Sequence, residues 1–494
     1  MRGPLLLVLA FLVAPGCEPR QALPDSPRLV VLYATCSLNK DFLSPYDAEV
    51  AFTPAFERFG SQARVFRRHQ TESGQSGTAF ASLFSGSQAA VHGVFHHPAR
   101  LRPELDLVTE VFAEAGYEVH TWLAHPMASA KLGYAQGVPQ EGVHGGRLDG
   151  ADEGLLALLD GVKHDPGARV LLVTNFTLTH GPYRGARLER LCVEHPSRCD
   201  VVGDAGFERL RSLYARHHIA LSFDFEATVE RLGLSESEVD RLRAVTRVLF
   251  EASVVELDEE FGELVEAIDS RGLADESVIV FTSDHGEIHF RDNADFHWTH
   301  GFQLAPEVLN VALMIRAPGL RPGSHEPVTR SVDVLPTLAG LTRLPSAGST
   351  ARGVDLSAAL SGAEPAPELL AFSHTAMFPA PWWRQWGDRP VVRRLYPEWN
   401  ARWMGVGLRS GDFFHELRHL RDGVWSRGVY DLAGDPGKRV NLFDPDDPRH
   451  AEMGTHLAQY KEMLTAAAAE GPRGVAPVGE ERQLELLRSL GYIE

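Results

Sequence analysis

Apolar segments of this chain repeatedly end at polar residues, which predicts strands that deliver side chains to a common site. Residues 29–33, 170–174 and 278–282 are runs of β-branched and other apolar residues, each as long as a buried strand. Ligands of open α/β sheets bind just beyond the carboxyl ends of the strands. We therefore expect one site that is assembled from several strand ends.

The run at 278–282 is followed by Ser283, Asp284 and His285. A carboxylate oxygen and a neutral imidazole nitrogen are both good ligands for a divalent metal, so this pair predicts a metal centre. Aspartate and glycine are also ordinary turn residues. The alternative is therefore a turn whose aspartate caps the next helix.

A long helix is predicted to begin at Ser235, which forms a capping-box pattern with Glu238. Gly272 is expected to end this helix. The apolar residues that recur at helical spacing between these points, and that we expect to face the core, are Leu242, Val245, Leu249, Ala252, Phe261, Leu264, Val265 and Ile268.

Together these elements predict an α/β fold, with a doubly wound, mostly parallel sheet sandwiched by helices and a smaller C-terminal α+β domain. We predict a leader and linker over residues 1–27, the α/β domain over 28–364 and the C-terminal subdomain over 365–494. Residues 183–234 are predicted to be an insertion, either a lid over the site or a surface elaboration. Tryptophans near the start of the C-terminal subdomain predict core packing or sugar stacking: Trp382, Trp383, Trp386, Trp399 and Trp403.

Length and charge narrow the class of protein. A chain of 494 residues can bury a large core, and a single small domain would be shorter. The formal net charge of −18 argues against a nucleic-acid partner, because phosphate binding needs a basic surface.

The N-terminus predicts export. An apolar run over residues 5–13 follows Arg2 and precedes small residues and Cys17, which is similar to a bacterial lipoprotein signal. We expect a protein of the periplasm or cell surface, attached to the membrane only through lipid on Cys17. An ordinary signal peptide and a start-proximal core strand are the alternatives.

An exported protein meets an oxidising compartment, in which disulfide bonds between cysteines persist. Cys192 and Cys199 lie close together in sequence, so we expect a local disulfide between them. Cys36 then remains as a lone thiol, for which burial in the core is the ordinary explanation.

Several motifs in a shared order resemble the sulfatase family of the alkaline phosphatase-like superfamily. Ser-Asp-His-Gly-Glu at 283–287 resembles the end of the family's metal-binding strand, and Val-Asp-Val-Leu-Pro-Thr-Leu at 332–338 a downstream segment. Ala-Ser-Leu-Phe-Ser-Gly at 81–86 is similar to the helix that carries the nucleophile. The resemblance extends to Tyr-Asp-Leu at 430–432 and to Leu-Gly-Tyr at 490–492, so it covers most of the chain.

The resemblance implies catalytic roles for Ser76, His180 and His300. Counting back from the helix at 81–86 places Ser76 at the nucleophile, which the family oxidises to formylglycine. His180 and His300 would contact the ester oxygens or act as acid and base. Thr78 and Phe80 replace the proline and arginine that the modifying system reads, so we expect Ser76 to remain serine.

The resemblance also implies a divalent metal, with Asp284, His285 and Cys36 at the ligand positions. The family's ion is calcium, but Cys36 stands where a ligand carboxylate is usual. A thiolate suits zinc better than it suits a hard cation. Calcium, zinc and a metal-free protein are therefore all open.

Three functions follow from these residues. The first is a sulfatase-fold hydrolase of sulfate or phosphate esters with altered activity. The second is a non-catalytic lipoprotein that binds anionic glycans or a partner protein. The third is a metal-dependent phosphodiesterase or phosphotransferase that uses unmodified Ser76. The expected substrate is an anionic small-molecule or glycan ester, and the sequence leaves the oligomeric state open.

Overall fold

The computed structural model describes residues 26–95, 98–145, 152–203, 205–290, 296–375, 405–419 and 425–469. Cys17, with the rest of the predicted leader up to residue 25, lies outside these residues. So do the motif at 490–492 and the tryptophans Trp382, Trp383, Trp386, Trp399 and Trp403.

The strands of the described chain are β1 (Leu29–Thr35), β2 (Arg64–Phe66), β3 (His69–Gln70), β4 (Glu118–Trp122), β5 (Val143–His144), β6 (Val170–Phe176), β7 (Ser277–Ser283), β8 (Leu313–Arg316), β9 (Gly323–His325), β10 (Thr329–Arg330), β11 (Leu370–His374), β12 (Gly405–Ser410), β13 (Phe413–His419) and β14 (Trp425–Asp431). The helices are α1 (Pro54–Gln62), α2 (Ser76–Ser85), α3 (Ala89–His92), α4 (Val108–Glu114), α5 (Glu153–His164), α6 (Leu188–Glu194), α7 (Phe207–Phe223), α8 (Phe225–Leu232), α9 (Glu236–Asp269), α10 (Pro306–Leu309), α11 (Val334–Leu341), α12 (Ser357–Ser361) and α13 (Pro448–Ala469).

The main sheet has eight strands in the order β5-β4-β6-β1-β7-β8-β2-β9. The five strands from β5 to β7 are mutually parallel, and β8 runs antiparallel to both β7 and β2. This arrangement confirms the predicted α/β fold class. In the register, Thr35 of β1 lies opposite Phe176 of β6 and Ser283 of β7, so the carboxyl ends of the three central strands coincide.

Helices cover both faces of this sheet, which explains why its three central strands, β6, β1 and β7, are buried at every position and mostly apolar. Leu29, Val31 and Tyr33 face one core, which α9 fills, whereas Val30 and Leu32 face the other, which α2 and α4 fill. All seven residues of β1 are buried. This two-sided burial fixes the strand and therefore the position of the residues that follow it.

The long helix α9 begins where the sequence predicts. Ser235 is its N-cap, and the reciprocal hydrogen bonds with Glu238 form the expected capping box. The helix ends at Asp269, three residues before Gly272. Most of the predicted stripe is fully buried, namely Leu242, Val245, Leu249, Ala252, Phe261, Leu264 and Ile268, whereas Val265 is partly buried.

The predicted insertion is helical in the described chain, with α6 and α7 packed against α9 and α8 packed against α7. Cys192 and Cys199 form the expected disulfide, with their Cα atoms 5.4 Å apart, and Cys36 is a free, buried thiol. The boundaries proposed for the insertion and for the two domains stay predictions.

A second, antiparallel sheet of four strands, β11-β12-β13-β14, follows in the chain. Helix α13 packs on this sheet through Leu457, Tyr460 and Leu464, and these side chains share a small core with Val406 and Leu408 of β12. None of the helices in the described part of the chain is long and apolar enough to cross a membrane.

Candidate active site

The loop after β1 and the loop after β7 meet at the carboxyl edge of the sheet. The Asp284 N–H donates to the Thr35 carbonyl, at 3.0 Å. Asp284 Oδ1 in turn accepts from the N–H groups of Ser37 (3.2 Å) and His285 (2.6 Å). These bonds bring Cys36 next to the acid and the imidazole, as the sequence predicts.

Asp284 does not cap a helix, because no helix begins in residues 284–290. Its second oxygen, Oδ2, is buried without a hydrogen-bond partner, at 3.4 Å from His285 Nε2. Burial raises the pKa of this carboxyl to about 7. A carboxylate oxygen in such a place is costly unless a cation or a donor satisfies it.

Ser76 lies at the first position of α2, fully buried. Its Oγ is 3.0 Å from His285 Nε2 and 3.5 Å from the Cys36 sulfur. The side chain of the N-cap residue, Gln75, makes no capping hydrogen bond. Because the first N–H groups of a helix point outward with the positive end of its dipole, this position favours an anion beside Ser76.

The tautomer of His285 follows from its partners. Nδ1 lies 2.9 Å from the carbonyl oxygen of Gly286, which can only accept, so Nδ1 carries the proton of the neutral ring. Burial lowers the pKa of His285 to about 3, which keeps the ring neutral. The lone pair of Nε2 is therefore directed at Ser76 and is available to a proton or to a metal ion.

Cys36, Asp284 and His285 could hold a metal ion, since one ligand atom from each lies within 4.8 Å of the others. Burial and the nearby charge of Asp284 raise the pKa of the Cys36 thiol well above its usual value. A bound cation would reverse that preference, because metal ligation deprotonates a thiol. The unsatisfied oxygen of Asp284 and the lone pair of His285 fit such an ion.

His300 joins this group through a short pairing of two loop segments. Ile288 and Thr299 exchange backbone hydrogen bonds of 3.0 and 3.3 Å, which places the ring of His300 4.1 Å from that of His285. His180, which follows β6, has its ring 5.3 Å from His300. The structure thus brings together all six residues that the sequence assigns to catalysis and metal binding.

Phe80 occupies the position at which an arginine would lie near Ser76. Its buried ring packs against Phe84 and His125, with centroid distances of 5.6 and 5.7 Å. The Met127 N–H donates to Nδ1 of His125, so the proton of the neutral His125 ring is on Nε2. The ring centroid of His125 also lies 6.4 Å from that of His180.

Sequence reasoning assigned no role to Glu287 and Tyr183, both of which lie at this site. The Tyr183 hydroxyl donates to Glu287 Oε2 at 3.0 Å, and Glu287 Oε1 is 3.6 Å from His300 Nδ1. Burial raises the pKa of Glu287 to about 8. The sequence could have indicated Glu287, because it lies two residues after His285. No feature of the sequence indicated that Tyr183 lies at the site.

Comparison with known proteins gives the same family. A sulfatase family model matches residues 226–344. Human arylsulfatase A is 27% identical over 286 residues, which are 55% of this chain and 52% of that protein. The choline-sulfatase of Rhizobium meliloti (strain 1021) is 32% identical over 251 residues, 50% of this chain and 41% of that protein. The chain thus spans about half the length of the curated relatives it matches.

Solved structures share the fold at low sequence identity. One is a protein described in complex with its substrate D-glucosamine-2-N,6-O-disulfate, with a TM-score of 0.61, 16% identity and coverage of 90% of this chain and 99% of the other. Another is the phosphonate monoester hydrolase of Agrobacterium radiobacter, with a TM-score of 0.56, 18% identity and coverage of 90% and 96%. The order of motifs, the family model, the relatives and the shared fold all support the sulfatase family for this chain.

Proposed function

We propose that this protein hydrolyses sulfate or phosphate esters of anionic small molecules or glycans, with unmodified Ser76 as the nucleophile. The observation that carries the proposal is the position of Ser76 Oγ at the start of α2, 3.0 Å from the lone pair of His285 Nε2. A nucleophile within hydrogen-bond reach of a basic group is the usual arrangement in covalent catalysis. The named activities of similar proteins include a choline-sulfatase and a phosphonate monoester hydrolase.

The proposed reaction has two steps, in which the sulfo or phospho group is transferred first to Ser76 and then to water. Ser76 Oγ attacks the sulfur or phosphorus atom, the ester bond breaks, and the proton of Ser76 ends on the departing alcohol. Water then cleaves the sulfo- or phosphoserine and returns the proton to Ser76. In this proposal the N-terminus of α2 stabilises the anionic group. His300, whose ring lies 4.1 Å from that of His285, and His180, whose ring lies 5.3 Å from that of His300, move protons.

The metal centre would be formed by Cys36, Asp284 and His285. When bound, a divalent ion there would polarise the ester oxygen and lower the pKa of an adjacent hydroxyl. A set of one sulfur, one carboxylate oxygen and one imidazole nitrogen fits zinc better than calcium. The single lone pair of His285 Nε2 can serve the ion or the proton of Ser76, but not both at once.

We also propose that the protein is exported and lipid-anchored at Cys17, as the apolar run and the small residues before Cys17 suggest. The mature N-terminal peptide should then begin at Cys17 and carry the mass of a lipid modification. A mature chain that begins elsewhere, without lipid, would remove the anchor from the account.

Ser76→Ala tests the proposed nucleophile. Hydrolysis of p-nitrophenyl sulfate, p-nitrophenyl phosphate and a phenylphosphonate monoester should fall by roughly three orders of magnitude or more. The matched control is Ser85→Ala, a buried serine of the same helix whose hydroxyl donates to the Ala81 carbonyl. Unchanged turnover in Ser76→Ala would refute the role of Ser76. A wild-type protein that binds sulfated glycans but turns over no ester would favour the non-catalytic function.

A further inference from the structure

Trp298, two residues before His300, has a backbone conformation that large side chains rarely adopt. Its φ is +45°, in the left-handed region, where a residue other than glycine, asparagine or aspartate is strained. Such strain persists only where surrounding groups hold it. The contacts of Trp298 therefore show what fixes the loop that carries His300.

Helix α7 holds the backbone of this loop. The carbonyl oxygen of Trp298 lies 3.3 Å from His218 Nε2 and 3.2 Å from Ser222 Oγ. The N–H of His297 donates to the carbonyl of Ser222 at 3.3 Å. Because a carbonyl oxygen can only accept, His218 donates through Nε2 and its neutral ring has the corresponding tautomer.

Helices α7 and α8 also hold the indole ring of Trp298. It is 1% exposed and packs edge-on against Tyr214 of α7, with ring centroids 5.8 Å apart, and beside Phe225 of α8 at 5.9 Å. Burial, together with the positive charge that His180 can carry, lowers the pKa of His218 to about 3, so His218 stays a neutral donor at neutral pH. It cannot then act as a proton carrier for the reaction.

The two residues after Trp298 lead directly into the site. Thr299 pairs with Ile288, and the ring of His300 rests 4.1 Å from His285. On the other side, the chain that leads to Ser76 packs against Gly301, since a Cβ added to Gly74 would lie 2.7 Å from the Gly301 nitrogen. A shift of the Trp298 carbonyl would therefore move His300 relative to His285 and Ser76.

We propose that helices α7 and α8 form a positioning element, in which His218 is a positioning residue that sets the ring of His300 through the carbonyl of Trp298. The kinetic consequence rests on the proposed ester hydrolysis, but the placement of His300 does not. This role differs from both a lid and a surface elaboration, because the helices act through a backbone group inside the loop.

The test compares two substitutions of His218 by their effect on His300. His218→Phe removes the donor, whereas His218→Gln can place an amide N–H near the position of Nε2. In protein that carries ring-¹³C histidine, the NMR signal of His300 is assigned by its absence in His300→Gln. We expect His218→Phe to shift this signal and to lower kcat for p-nitrophenyl sulfate or phosphate by roughly tenfold to hundredfold, with KM little changed. His218→Gln should restore both, and His217→Phe, one residue away on α7, should affect neither.

Some outcomes would overturn this proposal. An unshifted His300 signal in His218→Phe would refute the positioning role, even if kcat fell. If His218→Phe does not fold, Ser222→Ala is the second variant. It removes a hydroxyl whose single proton is shared between the carbonyls of His218 (2.8 Å) and Trp298 (3.2 Å), and it should produce a smaller shift in the same direction. An unshifted His300 signal in Ser222→Ala would then refute the positioning role. If the wild-type protein turns over no ester, the proposed function fails while the His300 signal still decides the positioning role.

Discussion

In the proposed metal centre, Cys36 would favour zinc over calcium, because a thiol is a ligand that a calcium site would not use. Its sulfur lies in a buried cluster with Asp284 and His285, and its thiol is held neutral in the absence of a cation. Zinc offers the compensation that the thiol needs, whereas calcium prefers oxygen. Cys36 is therefore the residue on which our proposal of zinc rather than calcium depends.

Cys36→Asp should move the metal preference from zinc towards calcium. Zinc affinity should fall at least roughly 10- to 100-fold, because the loss of a group that only hydrogen-bonds to a metal ligand already costs that much. Element analysis after dialysis against equal concentrations of both ions measures this. Cys36→Ser, which removes the sulfur without adding a carboxylate, should bind neither ion well. Zinc retained at wild-type affinity in Cys36→Asp would contradict the ligand assignment.

Asp284→Asn should abolish metal binding with little change in the stability of metal-free protein. Asparagine keeps an oxygen at Oδ1 for the N–H groups of Ser37 and His285, but it replaces the unsatisfied Oδ2 with an N–H₂ group, which cannot ligate a cation. Metal content and the unfolding midpoint in chelator are the two measurements. Metal content equal to that of wild type would show that Asp284 is an ordinary turn residue.

The ends of the apolar runs predicted the places of Asp284 and Cys36, whereas Ser76 was assigned from the resemblance to the sulfatase family. Asp284 and Cys36 follow buried strands, and Ser76 begins α2, so all three converge when the sheet forms. His218 reaches the site from helix α7, and Tyr183 reaches it from the loop between β6 and α6. No periodicity in the sequence reports such a contact, so neither residue was predicted.

At the scale of elements, α9 supports the sheet from one side over 34 residues, and its start was predicted from the N-cap residue Ser235 and from Glu238. The Ser235 side chain accepts from the Glu238 N–H, and the Glu238 carboxylate accepts from the Ser235 N–H. Central strands were predicted too short by two residues, because Ala34 and Thr35 remain paired between neighbours where propensity alone would end the strand. Short edge strands such as β9 have no pattern that could be recognised.

Ser235→Ala should destabilise the protein by about 1 kcal/mol, the usual cost of losing an N-cap side chain. The change should appear in the free energy of unfolding by denaturant, with the slope of the transition unchanged. Ser237→Ala is the matched control, since Ser237 is exposed inside the same first turn and alanine favours helix there. An equal loss in both variants would mean that the capping box does not determine the stability of this end.

At the scale of the whole molecule, Glu72 links the main sheet domain to the C-terminal helix. Its carboxylate accepts hydrogen bonds from Ser82 of α2 (2.7 Å), from the N–H of Ala89 (2.9 Å) and from the hydroxyl of Tyr460 on α13 (2.8 Å). Burial outweighs these donors and raises its pKa to about 7. Helices α2 and α13 are therefore joined through a buried acid whose ionisation is unfavourable.

This linkage predicts how stability depends on pH. Because the folded pKa of Glu72 lies above the unfolded value of 4.5, its contribution to stability is complete below about pH 4.5 and is lost as pH rises towards 7. Relative to Glu72→Gln, the wild-type protein should lose roughly 2–3 kcal/mol of unfolding free energy between pH 5 and pH 8. Denaturant unfolding of both proteins at the two pH values measures the difference. A difference that is independent of pH would show that Glu72 is not buried as a neutral acid.

The central claim is that unmodified Ser76 forms the covalent intermediate, and peptide mass spectrometry after rapid acid quench tests it most directly. Protein mixed with excess p-nitrophenyl sulfate or phosphate should yield a peptide over Ser76 with the mass of serine, and a second with the mass of one added sulfo or phospho group. Neither of these two peptides should be found in Ser76→Ala, whereas the Ser85→Ala control should give the same peptides as the wild type. A Ser76 peptide with the mass of formylglycine, or turnover without any modified Ser76 peptide, would contradict the account.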